Sequence, residues 1–166
     1  MADVLSTELT LQIKAVLTET LDLGKGYNNL TLILDDILED GVTIDKADLL
    51  WHDERTVTAA AETLDLTALT YTCFGSTITV NNARVKLFAL WNKSTTAGEI
   101  LTIGSAAANP WTAVWSGTTI VRPNGRMLFW APDATGYVTA GGSKNVKVDP
   151  GAATITYRIA IVGASS

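Results

Sequence analysis

A chain of 166 residues is long enough for one domain with a sizeable core, or for one domain plus an arm. With 47% hydrophobic and only 17% charged residues, it has the opposite composition to a long disordered chain. A net charge of −5, with Lys and Arg scattered rather than clustered, argues against a dedicated nucleic-acid binder.

One cysteine, Cys73, excludes an intramolecular disulfide framework and any multi-cysteine metal site. In "TYTCFG" it reads as a small buried hydrophobe. The longest apolar runs fall far short of a helical membrane span. "MADVLSTELT" lacks a basic start followed by an apolar core, so the expectation is a soluble product of the cytoplasm. The 24 Thr residues supply a polar surface without charge and suit half-buried strands. The apolar excess serves either a private core or a surface covered by a partner.

In chain order, residues 8–23 alternate like a strand with one buried side. Leu9, Leu11, Ile13 and Ala15 share a face, opposite Glu8, Thr10, Gln12 and Lys14. "GKGYNN" (24–29) reads as a turn or loop. In "LTLILDDILED" (30–40), Leu30, Ile33, Leu34, Ile37 and Leu38 match a helical stripe and favour a short helix stopped by Gly41, although Leu32 and Leu34 would also suit a strand. From Thr56 onward, short β-rich runs alternate with turn residues. Strands are expected at 53–58, 62–67, 77–80, 84–92, 99–104, 112–115, 118–123, 126–131, 137–139, 144–148 and 154–162. Asn124-Gly125 is the strongest hairpin signal, for a type I′ turn. The fold class is all-β: a jelly-roll-like or related antiparallel β-sandwich over residues 51–166, preceded by an N-terminal arm over 1–50 containing a strand and a short helix. Glu-Thr-Leu-Asp-Leu occurs twice, at 19–23 and 62–66. Both copies read as edge strands ending in a loop. A sharper reading docks the first on a neighbouring subunit by strand addition.

"LWHDERTV" (50–57) holds the only histidine beside Asp53, Glu54 and Arg55. On a strand, His52 and Asp53 point to opposite faces, and no Gly-x-Ser-x-Gly elbow supplies a nucleophile. One histidine and one cysteine do not make a zinc site. The segment therefore reads as structure: Trp51 buried, its charged neighbours exposed or in local ion pairs. Asp35, Asp36, Glu39 and Asp40 lack the spacing of a calcium loop and read as a solvated face. No catalytic, cofactor-binding or metal-binding residues are assigned, and no cofactor is expected. Of the five Trp residues, Trp111 and Trp115 would share a strand face if extended, as an exposed aromatic pair suited to a subunit interface or to stacking on sugars. With Leu9, Leu11 and Ile13 they are the interface candidates.

"LWHDERTVTAAAETLDLTALTYTCFGSTITVNNARVKLFAL", "TIVRPNGRMLFWAPDATGYVTAGG" and the closing "TITYRIAIVGASS" resemble a recurrent pattern in structural proteins of tailed phages and prophages. The N-terminal "LTLQIKAVLTETLDLG" fits it too. Departures are the cysteine in "TYTCFG" and the apolar "RMLFWAP". The resemblance implies a non-enzymatic virion component, a capsid decoration or cement protein. Its partners would be the major capsid protein and further copies of itself, with no direct nucleic-acid or membrane contact. Its place would be the capsid surface, after synthesis in the host cytoplasm. The alternative is a tail-associated or fibre module that binds a carbohydrate or receptor.

Overall fold

A computed structural model describes residues 4–22 and 24–166. The strands are β1 (Thr7–Leu21), β2 (Gly24–Asp40), β3 (Lys46–Ala47), β4 (Leu49–Thr58), β5 (Glu62–Asp65), β6 (Leu69–Cys73), β7 (Ser76–Val80), β8 (Arg84–Asn92), β9 (Leu101–Ser105), β10 (Thr118–Val121), β11 (Arg126–Trp130), β12 (Tyr137–Val138), β13 (Asn145–Asp149) and β14 (Thr154–Ala164). No helix occurs among the described residues. The protein is an all-β, antiparallel sandwich.

Two sheets form the body. The front sheet runs β11-β8-β14-β4, with β12 also paired to β8, and the back sheet runs β10-β9-β13-β5. Alternation explains the core. Ile155, Tyr157, Ile159 and Ile161 of β14 point inward beside Phe88 and Leu90 of β8 and Trp51 and Val57 of β4. Leu101, Ile103, Val146, Val148 and Leu64 face them from the back sheet. Near the end of β14 the register shifts between Val162 and Gly163. A Cβ on Gly163 would lie 2.2 Å from Asn82 Oδ1 and 2.6 Å from the Arg84 carbonyl, so this approach requires glycine.

Two hairpins leave the sandwich. β6 and β7 pair across a Phe74-Gly75 loop in which both residues have positive φ, 48° and 79°, as a type I′ turn requires. β1 and β2 pair in unbroken register from Thr7↔Leu38 to Leu21↔Gly24, and β3 adds to the base of β2 in parallel.

Several expectations need correction. Residues 30–40 are not a helix, and 24–29 are not a loop: both belong to the 17-residue strand β2. Their apolar residues satisfy a helical and a strand period at once. Pairing with β1 along its whole length decides for the strand. Asn124-Gly125 does not form a type I′ hairpin. Only Asn124 has positive φ (56°), Pro123 precedes it, and Gly125 N–H donates to the Arg122 carbonyl at 2.8 Å. That is the pattern of a type II turn, and it carries the chain from β10 in the back sheet to β11 in the front sheet. Residues 112–115 are a turn rather than a strand, and β6 lies where no strand was expected. Cys73 is half-buried rather than buried. Of the repeated pentapeptide, the second copy supplies β5, an edge strand. The first spans the end of β1, and its Leu23 lies outside the described residues.

Candidate interaction surface

The β1–β2 register sorts the hairpin's side chains into two faces. On one stand Leu9, Leu11, Ile13, Ala15 and Leu17, with Leu30, Leu32, Leu34 and Leu38 opposite them. Asp36, opposite Leu9, interrupts the row near the base. The other face alternates Glu8, Thr10, Gln12 and Lys14 with Thr31, Ile33, Asp35 and Ile37.

Among the described residues, the base of the apolar face is the part that the core clusters cover. Leu38 is fully buried, and Leu9 packs with it against Leu87, Val162 and Trp130 on the outer side of the front sheet. Trp130 Nε1–H donates to Asp36 Oδ2 at 3.0 Å, which gives this acid a partner. Beyond that contact the apolar side chains meet no other part of the chain's core clusters: Ile13 is 43% exposed and Leu32 52%. Leu11 and Ile13, read from sequence as interface candidates, lie on this free stretch, and Leu9 lies in the anchoring contact. Sequence reading missed Leu17, Leu30, Leu32 and Leu34. Their signal was the alternation of Leu30, Leu32 and Leu34, which the overlapping helical stripe obscured.

The outer side of the front sheet continues the same surface, and its Ala89 packs against the cluster at the hairpin base. Leu128, Ala89, Ala160 and His52 form one row across β11, β8, β14 and β4, beside the row that the hairpin base covers. The next row is Arg126, Trp91, Arg158 and Glu54. Together with Leu11 these two rows line an open groove of about 570 Å³. Both guanidinium groups lie over the Trp91 ring, at 4.5 Å (Arg126) and 5.6 Å (Arg158). Arg158 and Lys93 both reach Glu54, at 2.6 and 2.8 Å, and these bonds hold its carboxyl below the ordinary value. Among the described residues no carboxylate pairs with Arg126.

Trp111 and Trp115 are not on this surface. Both are buried in the sandwich core, packed against each other and against Phe88 and Phe129, with centroid separations of 5.3 to 5.9 Å. The residues between them form a turn, in which Trp115 N–H donates to the Trp111 carbonyl. The spacing of four thus puts both indoles on the inner side of a bend. The expectation of an exposed pair, at an interface or under a sugar, is corrected accordingly.

His52 also borders a cleft of about 930 Å³ between β4 and the β6–β7 hairpin, together with Asp53, Tyr71 and Cys73. No hydrogen bond joins His52 to either Asp53 or Cys73 among the described residues. The Asp53 carboxylate instead accepts from the Glu54 amide at 2.8 Å and from Arg55 at 3.0 Å. Arg55 also grips Glu62 at 2.7 Å, and Glu62 accepts the Tyr157 hydroxyl at 2.6 Å. The Glu62 contact raises the Arg55 pKa, while burial, then Glu62, pushes that of Tyr157 up. The segment "LWHDERTV" is thus strand β4, with Trp51 buried and donating to the Thr70 carbonyl at 3.0 Å. Among the described residues no group of three or more His, Cys, Asp or Glu is placed to hold a metal ion. No protein-family model matches the chain, and neither a curated protein nor a solved structure is significantly similar to it.

Proposed function

We propose that the chain is a non-enzymatic structural protein of a bacteriophage virion: a capsid decoration or cement protein. It would bind the shell of the major capsid protein from the capsid surface and associate with copies of itself. The observation that carries this reading is the long hairpin with a free apolar face. Exposing contiguous Leu and Ile over two long strands is costly for a lone soluble domain and useful to one that is covered on assembly. The sequence resemblance to phage structural proteins supports the same reading. So does the wiring. Counting only the sandwich strands β4, β5, β8, β9, β10, β11, β13 and β14, the front sheet orders them 6-3-8-1 and the back sheet 5-4-7-2. We read this as a jelly roll, an architecture used by viral capsid and lectin domains. Fold alone does not assign a role, and the weight rests on the hairpin. The sugar-binding alternative loses its aromatic platform with the burial of Trp111 and Trp115.

The test is immunogold electron microscopy. Antibodies against the chain would be applied to virions from cells that produce it. Regular labelling of heads is the expected result. Labelling confined to tails, or virions without label, would overturn the proposal.

A further inference from the structure

We propose that the β6–β7 hairpin is a docking finger, and that Phe74 at its tip inserts into an uncharged apolar pocket on the shell protein. The proposal rests on the virion reading and adds to it a contact separate from the β1–β2 hairpin.

Three observations single out Phe74. The first is its backbone. Among the described residues, the non-glycine positions with positive φ are Asp45, Ala59, Phe74, Asn109 and Asn124. Asp and Asn enter this region with little strain, and Ala carries only a methyl group. Phe74, at φ 48°, is the one bulky side chain there. It holds the first central position of the type I′ turn, where Asn, Asp or Gly is favoured. The second is exposure. Phe74 is the most exposed large hydrophobic residue among those described, so its ring gains nothing within the chain that offsets the turn's strain. Strain that the fold itself does not use points to function. The third is support. Leu69 and Val80 at the hairpin's root are buried in the sandwich core, and Trp51 donates to the Thr70 carbonyl. The tip stands about 14 Å beyond this root. A ring held out on an anchored ribbon is already placed for binding.

Charge selects the partner. Between Asp65 and Arg84 the chain has no charged residue. An aromatic ring in uncharged surroundings has the composition of an interface centre, where charges are depleted and aromatic residues enriched. No Lys or Arg is at hand to hold an anionic lipid surface, and one ring is too little apolar area to anchor a chain in a bilayer. The hollows of a second copy do not suit it either. Asp53 and Glu54 line the groove on the front sheet, and Asp48 and Asp53 line the cleft beside β4. A ring seated in either would strip water from carboxylates that the finger has no cation to pair. The fitting partner is a different protein whose pocket is apolar and uncharged, and in the virion reading that protein is the one forming the shell.

The test uses two full-length variants and heads purified from phage that lack the chain's gene. In one variant a photo-crosslinking benzoylphenylalanine replaces Phe74. The other is Phe74→Asn, which gives the turn a residue it favours. Irradiation of the first on heads should link position 74 to the major capsid protein, identified by mass spectrometry of the cross-linked peptides. Phe74→Asn should bind heads more weakly than wild type by about tenfold or more, with its urea midpoint unchanged or raised. A link to any other protein, including another copy of this chain, or no link at all would overturn the proposal. So would Phe74→Asn binding as tightly as wild type, or a lowered urea midpoint, which would show that the ring serves the fold. The failure of the virion reading is separable. Wild-type chain that binds heads while Phe74→Asn binds equally well removes the finger and leaves that reading standing, whereas wild-type chain that binds no heads removes both.

Discussion

Trp111 illustrates how much one side chain does here. It is fully buried, its ring packs with Phe88, Trp115 and Tyr137, and its Nε1–H donates to the Val138 carbonyl at 2.9 Å. Trp111→Ala should cost about 3–5 kcal/mol, from lost transfer energy and the cavity left behind. Urea denaturation should show this as a lower midpoint at unchanged slope. A cost below ~1 kcal/mol would contradict the core placement. Asp65 gives a pH signature. Burial pushes its pKa up, but Lys144 at 2.7 Å and two bonds from Thr67 outweigh that and hold it below the ordinary carboxylate value. A depressed folded-state pKa contributes stability above the unfolded value, about 3.9 for Asp, and that stability is lost as pH falls through the folded value. Asp65→Asn should therefore cost about 1 kcal/mol at pH 7, the scale of a partly exposed ion pair. The gap between wild type and variant should close as denaturation is repeated below about pH 4. A gap that stays constant with pH would contradict the charged pairing of Asp65 with Lys144.

At the scale of elements, the β1–β2 hairpin carries the argument. A two-stranded ribbon is marginal in water unless a third strand or a packed layer supports it. Here the base is supported by Leu38, Leu9 and the Trp130–Asp36 bond, whereas Ile13, Leu17, Leu30 and Leu32 stand exposed. Amide hydrogen exchange should separate the two. In dilute solution residues 13–18 and 28–33 should exchange rapidly, and their protection should rise with protein concentration as the apolar face is covered. The sandwich strands should be indifferent to concentration. Hairpin protection independent of concentration would count against intermolecular cover. This element also shows where sequence is legible. β1 could be read from Leu9, Leu11, Ile13 and Ala15 because their alternation allows one period. β2 could not, because Leu30, Ile33, Leu34, Ile37 and Leu38 fit a helical stripe, and the deciding pairing with β1 is non-local. Asn124-Gly125 failed for a related reason. The dipeptide fixes a turn, but which sheets the turn joins depends on residues far away. Trp111 and Trp115 were misplaced because a spacing of four means a shared face in a strand and an inner corner in a turn.

At the scale of the whole molecule, two properties combine. The sandwich closes its own core with both sheets, and its charges nearly balance. The hairpin side holds the acidic excess and an apolar face that the same chain leaves open. Under the proposed function, symmetry would multiply each modest contact. The most direct measurement is sedimentation equilibrium of the full-length chain at tens of micromolar, beside the double variant Ile13→Glu/Leu32→Glu. Both substituted positions are exposed in the single chain, so the variant should fold as the wild type does. The expected result is a wild-type mass of at least twice 17.6 kDa and a variant at 17.6 kDa. A wild type that sediments as a 17.6 kDa monomer, or a variant that keeps the wild-type mass, would contradict the assignment of the hairpin face as the contact between copies.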